Sequence, residues 1–278
     1  MSEQVSVVKG EAPPPTALAV VWQHRALLWA FVQRDIQNRY QGSVMGAVWA
    51  LVHPLALLGL YALVFEVIFK VKVPHLELGQ PYVLFIGVVL WPWLMFQEAM
   101  SRGTAAVLNN SALVKKVAFH HELLVYSAVL GSFAVHMLGY ALVLLILALL
   151  GFKMSWVGLS ALVLYLPLLM LLAISCTLVL SALQVFVRDV EQALQQVMSI
   201  LFYATPILYP MSLVPDWLHT LMAGNPVSAM TEPIRAAWLQ GAWPSLLPWG
   251  LLSLICLALV WLGRKVFLRL SPYFEDAV

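Results

Sequence analysis

The sequence predicts an all-α integral membrane protein. It should have six transmembrane helices, an N-terminal amphipathic interface helix, and a re-entrant outer hairpin between spans five and six. Three observations carry this. Hydrophobic residues make up 62% of the 278 positions and charged residues only 10%, against about 45–50% and about 25% in soluble domains. The apolar residues fall in runs long enough to cross about 30 Å of hydrocarbon, which takes about 20 residues of helix. Lys and Arg are distributed unequally between the two sides those runs define. A soluble core of this size could not hide so much apolar surface. The composition also excludes a disordered chain, a collagen and a disulfide scaffold. A net charge of +2 gives no footprint for nucleic acid.

Residues 1–22 read as a flexible leader. They carry Glu3, Glu11 and the Pro13-Pro14-Pro15 run, without the apolar core of a cleaved signal. Residues 23–42 read as the interface helix. Leu28, Val32, Ile36 and Tyr40 recur every four positions as an apolar stripe, with Gln33, Arg34, Gln37 and Asn38 opposite. Asp35 lies four residues before Arg39, the favourable order for a helical ion pair. Such a helix either anchors the first span or contacts a cytoplasmic partner or a lipid-linked substrate.

The transmembrane domain, 43–270, holds the six expected spans. They run from Gly46 to Phe69, Pro81 to Met100, Leu123 to Leu150, Val157 to Val187, Ala193 to Pro210 and Leu246 to Gly263. The fourth is longer than one crossing needs, and Pro167 should kink it. Eleven Lys and Arg lie on one side: Lys9, Arg25, Arg34, Arg39, Arg102, Lys115, Lys116, Arg188, Arg264, Lys265 and Arg269. Only Lys70, Lys72, Lys153 and Arg235 lie on the other. The positive-inside rule then puts both termini, including the tail 271–278, in the cytoplasm.

Two connections hold more than a loop needs. Between spans two and three, NNSALVKKVAFHHEL (109–123) places Lys115 and Lys116 among Ala112, Leu113, Val117 and Phe119. Asn110 or Ser111 can cap a short helix there, suited to docking a cytoplasmic partner. His120-His121 makes no metal site, because adjacent histidines point to different faces and no third ligand is near. Arg188-Asp189 with Glu191 reads either as a stop signal at the membrane surface or as a gate-stabilising pair. Between spans five and six, residues 212–244 are apolar but broken by Pro215, Gly224, Pro226, Pro233 and Gly241. Pro215-Asp216 opens a short helix that Gly224 closes, and Thr231 caps a second that ends before Gly241. Each piece crosses only part of the hydrocarbon, hence the re-entrant hairpin lining or closing an outer path.

Tyr61, Phe65, Trp91, Trp93, Phe202, Tyr203 and Tyr209 form a candidate aromatic track on which sugar rings could stack. Taken singly, each is equally a lipid-facing or helix-packing residue. His53, Glu66, Glu98 and His136 are ionisable groups inside spans and therefore candidates for function. No carboxylate–histidine relay is legible among them. Cys176 and Cys256 read as buried hydrophobes. The chain has no G-x-x-x-x-G-K-[ST] phosphate loop, no G-x-S-x-G and no H-E-x-x-H, so it carries no usual ATP site, no catalytic residues and no cofactor or metal of its own.

Three groups of residues together resemble the ABC transporter type 2 permease family, in its polysaccharide-export branch, from about residue 30 to 270. The first is Arg34-Asp35, Arg39-Tyr40, Ser43, Gly46, Trp49 and Pro54-Leu55. The second is Asn110 to Glu122, with Leu113-Val114, Lys116-Val117 and Phe119. The third is Thr205-Pro206, Tyr209-Pro210, Val214-Pro215 and Asn225-Pro226. Relatives commonly read Phe-Pro-Arg-Glu where this chain reads Phe119-His120-His121-Glu122.

The resemblance implies a permease subunit, not an enzyme, in the inner membrane. It would act as a homodimer with two copies of a separate ABC ATPase that binds ATP and Mg. The substrate would be a lipid-linked polysaccharide of O-antigen, capsule or teichoic-acid type. Leu113, Lys115, Lys116, Phe119 and Glu122 would couple to the ATPase. Arg34, Asp35, Arg39 and Tyr40 would form its second contact, and Pro206, Pro215, Asn225 and Pro226 the outer gate. An efflux permease for drugs or lipids, or a membrane glycosyltransferase or acyltransferase, are the alternatives; the last should show surface Asp or His pairs, and none is evident.

Overall fold

The structure is a computed structural model that describes residues 15–42, 46–70, 82–149 and 155–277. Ser43, Pro81, Leu150 and most of the expected leader lie outside these. No strand occurs among the described residues. Helix α1 (Ala17–Gln23) starts at Thr16, whose hydroxyl accepts the Ala19 N–H. Residues 17–22, expected in the leader, are thus helical. They are followed by α2 (Arg25–Tyr40) and α3 (Trp49–Ala62), which runs on as a π-helix over Leu63–Ile68. Next come α4 (Tyr82–Ala105), the short α5 (Ser111–Lys116), α6 (Glu122–Leu149) and α7 (Trp156–Phe186). The chain continues through α8 (Val190–Ala204), α9 (Asp216–Ala223), α10 (Pro226–Leu239), α11 (Leu246–Leu270) and α12 (Phe274–Ala277).

Among the described residues five helices are long and apolar enough to cross a membrane: 51–68, 82–105, 122–146, 156–186 and 246–277. The expected fifth span is shorter than its apolar run. Helix α8 has 15 residues, about 22 Å at 1.5 Å per residue. It stops because Pro206 offers no N–H and disfavours helical geometry at Thr205, and Thr205 is extended. Helix α7 runs through Pro167 as one helix of 31 residues.

Helices α4 and α7 form the centre. Helix α4 packs on α3, α6, α7, α8 and α10, and α7 also packs on α10 and α11. Trp91, Trp93 and Ile86 of α4 and Tyr165 of α7 are fully buried. Within a bilayer, lipid tails are as apolar as Leu, so helices associate through close packing. Gly263 shows this: a Cβ there would lie 2.6 Å from the Ser175 carbonyl oxygen. A side chain at that position would force α7 and α11 apart. Helices α3 and α11 are mostly exposed along their apolar lengths.

Candidate functional site

The predicted interface helix is packed more deeply than an amphipathic helix resting on a surface. Leu28, Phe31 and Val32 of α2 are buried, and the helix lies along α6. Ile36 is half-buried, and the Tyr40 side chain lies outside the described residues. The Asp35–Arg39 pair is present at 3.0 Å, as one edge of a larger network. The buried Arg39 guanidinium also donates to Glu98 Oε1 at 2.5 Å and to Ser132 Oγ at 2.8 Å. Arg102 donates to the other Asp35 oxygen at 2.7 Å. The expected absence of a carboxylate–histidine pair is corrected here: His136 Nε2 lies 2.6 Å from Glu98 Oε2. Gly131 permits this arrangement, since a Cβ there would stand 2.9 Å from Asp35 Oδ2. Charged groups from α2 and α4 thus meet two polar side chains of α6.

Beside the network, Arg34 donates to Asn110 Oδ1, which ties α2 to the start of α5. A polar cleft of about 350 Å³ opens there, with Arg34 and Arg102 balanced by Asp35 and Glu191. The 109–122 segment is anchored by the buried Val114, with Leu113 half-buried and Lys115 and Lys116 exposed. Phe119 packs edge-on against Phe31 of α2 at 5.6 Å, and the His24 and His120 rings meet at 5.0 Å. The two segments predicted to meet an ATPase therefore form one continuous surface.

Glu122 does not lie on that surface. It is fully buried, bonded by both oxygens to Arg264 of α11 at 2.6 and 3.0 Å, and it accepts the Tyr126 hydroxyl at 3.2 Å. Its carboxylate joins the start of α6 to α11. The end of the chain folds back, with the buried Phe274 packed against Phe267, Phe186 and His121. Burial in this seat pushes the His121 imidazole below its ordinary pKa, against the pull of Glu275.

The aromatic candidates separate into two groups. Trp93 packs on Phe202, Phe202 stacks on Tyr61 and meets Tyr203, and Phe65 stacks on Tyr82. Tyr209 donates to the Tyr203 carbonyl. Trp91 departs from the track. It is fully buried on the other side of α4, stacked on Tyr140, and its indole N–H donates to the His136 carbonyl at 3.0 Å.

On the opposite end, Pro215 and Gly224 bound α9 as predicted. The second helix starts earlier than predicted. Asn225 caps it by accepting the Val227 N–H, with Pro226 at the first helical position, whereas the Thr231 hydroxyl bonds back to Val227 inside the helix. Asn225 also donates to Thr205 Oγ1 at 2.9 Å, so it holds the Pro206 turn against α10. Arg235 is buried, donates to the Ile207 carbonyl at 3.0 Å, pairs with Glu232 at 2.7 Å and lies 4.0 Å over the Phe85 ring. Tyr82 donates to the Leu208 carbonyl. Neither Tyr82 nor Arg235 was singled out from sequence, although an arginine within an apolar stretch is a signal in its own right.

The family model described as the ABC-2 type transporter matches residues 26–239, well over half of the chain. The chain belongs to the ABC-2 type transporter family. Among its relatives is the O-antigen export system permease protein RfbA of Myxococcus xanthus, 27% identical over 261 residues, covering 93% of this chain and 97% of that protein. An RfbA of Klebsiella pneumoniae is 24% identical over 217 residues, 77% of this chain and 81% of its own. The polysialic acid transport protein KpsM of Escherichia coli is 21% identical over 238 residues, 86% and 91%. The match from residue 26 onward takes in α2, α5 and the turn at 205–209 together.

Proposed function

We propose that this chain is the transmembrane permease subunit of an ATP-driven exporter that carries lipid-linked polysaccharide, of O-antigen type, across the cytoplasmic membrane. The observation that carries the reading is the near full-length likeness to an O-antigen export permease. The chain works as a homodimer with two copies of a separate cytoplasmic ATPase, which binds the ATP and Mg. Both termini face the cytoplasm. Helix α8 and the turn after it make up a sixth crossing, and α9 and α10 are the limbs of a re-entrant outer hairpin. Their 8 and 14 residues span about 12 and about 21 Å, each short of about 30 Å of hydrocarbon.

The surface joining Lys115 and Lys116 to α2 supports docking of the ATPase, since α5 movement would reach α2 through Phe119 and Arg34. Removing the chain from cells that make such a polymer tests the reading. Finished lipid-linked polymer should accumulate on the cytoplasmic side and vanish from the surface. Unchanged surface polymer would refute it.

A further inference from the structure

Helix α5 has a second neighbour besides α2. Asn110 and Phe119, at its two ends, tie it to α2 through Arg34 and Phe31. Helix α12 packs on it as well, and also on α7. With four residues, α12 is too short to hold itself together in water. Its hold is Phe274, whose ring is fully buried. That ring stacks on His121 at 6.1 Å, meets Phe267 edge-on at 5.3 Å and lies 6.2 Å from Phe186. The last turn is thus fixed to the segment that joins α5 to α6.

Between that turn and the 119–122 segment lies a pocket of about 190 Å³. Phe119, Phe267 and Pro272 give it an apolar wall, His121 and Glu275 a polar one. Two polar groups there are unspent. His121 Nε2 is buried without a hydrogen-bond partner. Glu275 is exposed and has no ion pair among the described residues. Glu122, in the same lining, is already neutralised by Arg264, and the His120 ring beside it meets His24.

We propose that α12 is a third part of the docking surface, and that this pocket takes a cationic side chain, an arginine or lysine, of the partner ATPase. The inference rests on the permease reading above and adds a point at which the partner is gripped. The pocket suits a long side chain with an apolar stem and a charged head. The stem lies along Phe119 and Pro272, while the head pairs with the Glu275 carboxylate and donates to His121 Nε2. Burial opposes protonation of His121, which keeps that nitrogen able to accept. An acidic side chain would face Glu275, and an apolar one would leave both polar groups unpaired. With Lys115 and Lys116 exposed on α5 and Glu275 and Asp276 exposed on α12, the surface carries both signs side by side. Such a pattern fixes one orientation of a partner and disfavours the others.

The test uses the full chain purified with its native ATPase, reading the ATPase retained per permease. Glu275→Arg should cut retention about tenfold and Glu275→Gln about threefold. Thermal unfolding of the permease should stay as in the parent, since the side chain is exposed. A photoreactive phenylalanine analogue in place of the exposed Tyr273 should crosslink to the ATPase. Parental retention by Glu275→Arg would overturn the inference. A crosslink from position 273 to a second copy of this chain, or to lipid, with none to the ATPase, would also overturn it. Loss of the permease reading itself looks different: the parent chain would then retain no ATPase at all.

Discussion

The two ends of the molecule hold their shapes by different chemistry. At the end that carries α2 and the start of α6, side chains bond to side chains over long sequence separations: Arg39 to Glu98, Arg102 to Asp35, Glu122 to Arg264. At the end that carries the 205–209 turn, side chains bond mostly to backbone: Arg235 to the Ile207 carbonyl, Tyr82 to that of Leu208, Asn225 to that of Ala204. A bond between two charged side chains joins whole helices and carries displacement from one to the next. A bond to a loop carbonyl fixes the form of a turn. The first region therefore ties α2 to α4 and α6, and α6 to α11. The second holds the 205–209 turn against α10.

This contrast can be broken at its strongest point first. Arg264→Ala leaves the Glu122 carboxylate buried without its cation, a loss of about 3–5 kcal/mol. The folded fraction in detergent should collapse, while the double change Glu122→Gln with Arg264→Met should recover most of it. A single variant as stable as the parent would show that the pair does not join α6 to α11. Arg39→Ala should cost less, about 1.5–3 kcal/mol, because Glu98 keeps His136, Asp35 keeps Arg102, and both carboxylates are partly solvated. Thermal unfolding followed by size-exclusion fluorescence would rank the two.

At the 205–209 turn, Arg235→Met removes the carbonyl bond and the contact over Phe85, and should cost about 1–3 kcal/mol. Its signature is faster hydrogen exchange over residues 205–209, with the α2 end unaffected. Exchange that spreads to α2 would erase the distinction between the ends. Lys116→Ala should change stability by less than about 0.5 kcal/mol, as exposed positions do, yet uncouple ATP hydrolysis from export. Normal export would remove α5 from the docking surface.

The smallest effect concerns pH. The His121 pKa is lowered by burial, so the folded state binds fewer protons there than the unfolded chain, whose value is about 6.5. Its contribution is complete above about pH 6.5 and falls as acidification proceeds toward the lowered folded value. Hydrogen exchange at residues 271–277, corrected for intrinsic rates, should rise on acidification in the parent and not in His121→Leu.

How much of this could be read from sequence varied with the range of the interaction. The five long spans follow from apolar run length alone. The Asp35–Arg39 pair follows from helical spacing, but Glu98, Ser132 and His136 lie too far along the chain for any local pattern to bring them to it. The burial of Glu122 has no local sign because its partner Arg264 is 142 positions away. Other departures were open to a stricter local reading. Trp91 and Trp93 are two positions apart, about 200° around a helix, so they could not share one track. Asn225-Pro226 is a helix start in its own right, which Thr231 is not. Pro206 marks where α8 must end, although the apolar run continues to Pro210.

The central claim is that this chain supplies the passage and another polypeptide supplies the energy. Purification of the native complex from membranes, followed by ATPase assays on the complex and on the isolated chain, tests it most directly. The account predicts a second, nucleotide-hydrolysing subunit in equal copy number and no hydrolysis by the chain alone. Hydrolysis by the isolated chain at the rate of the whole complex would contradict it.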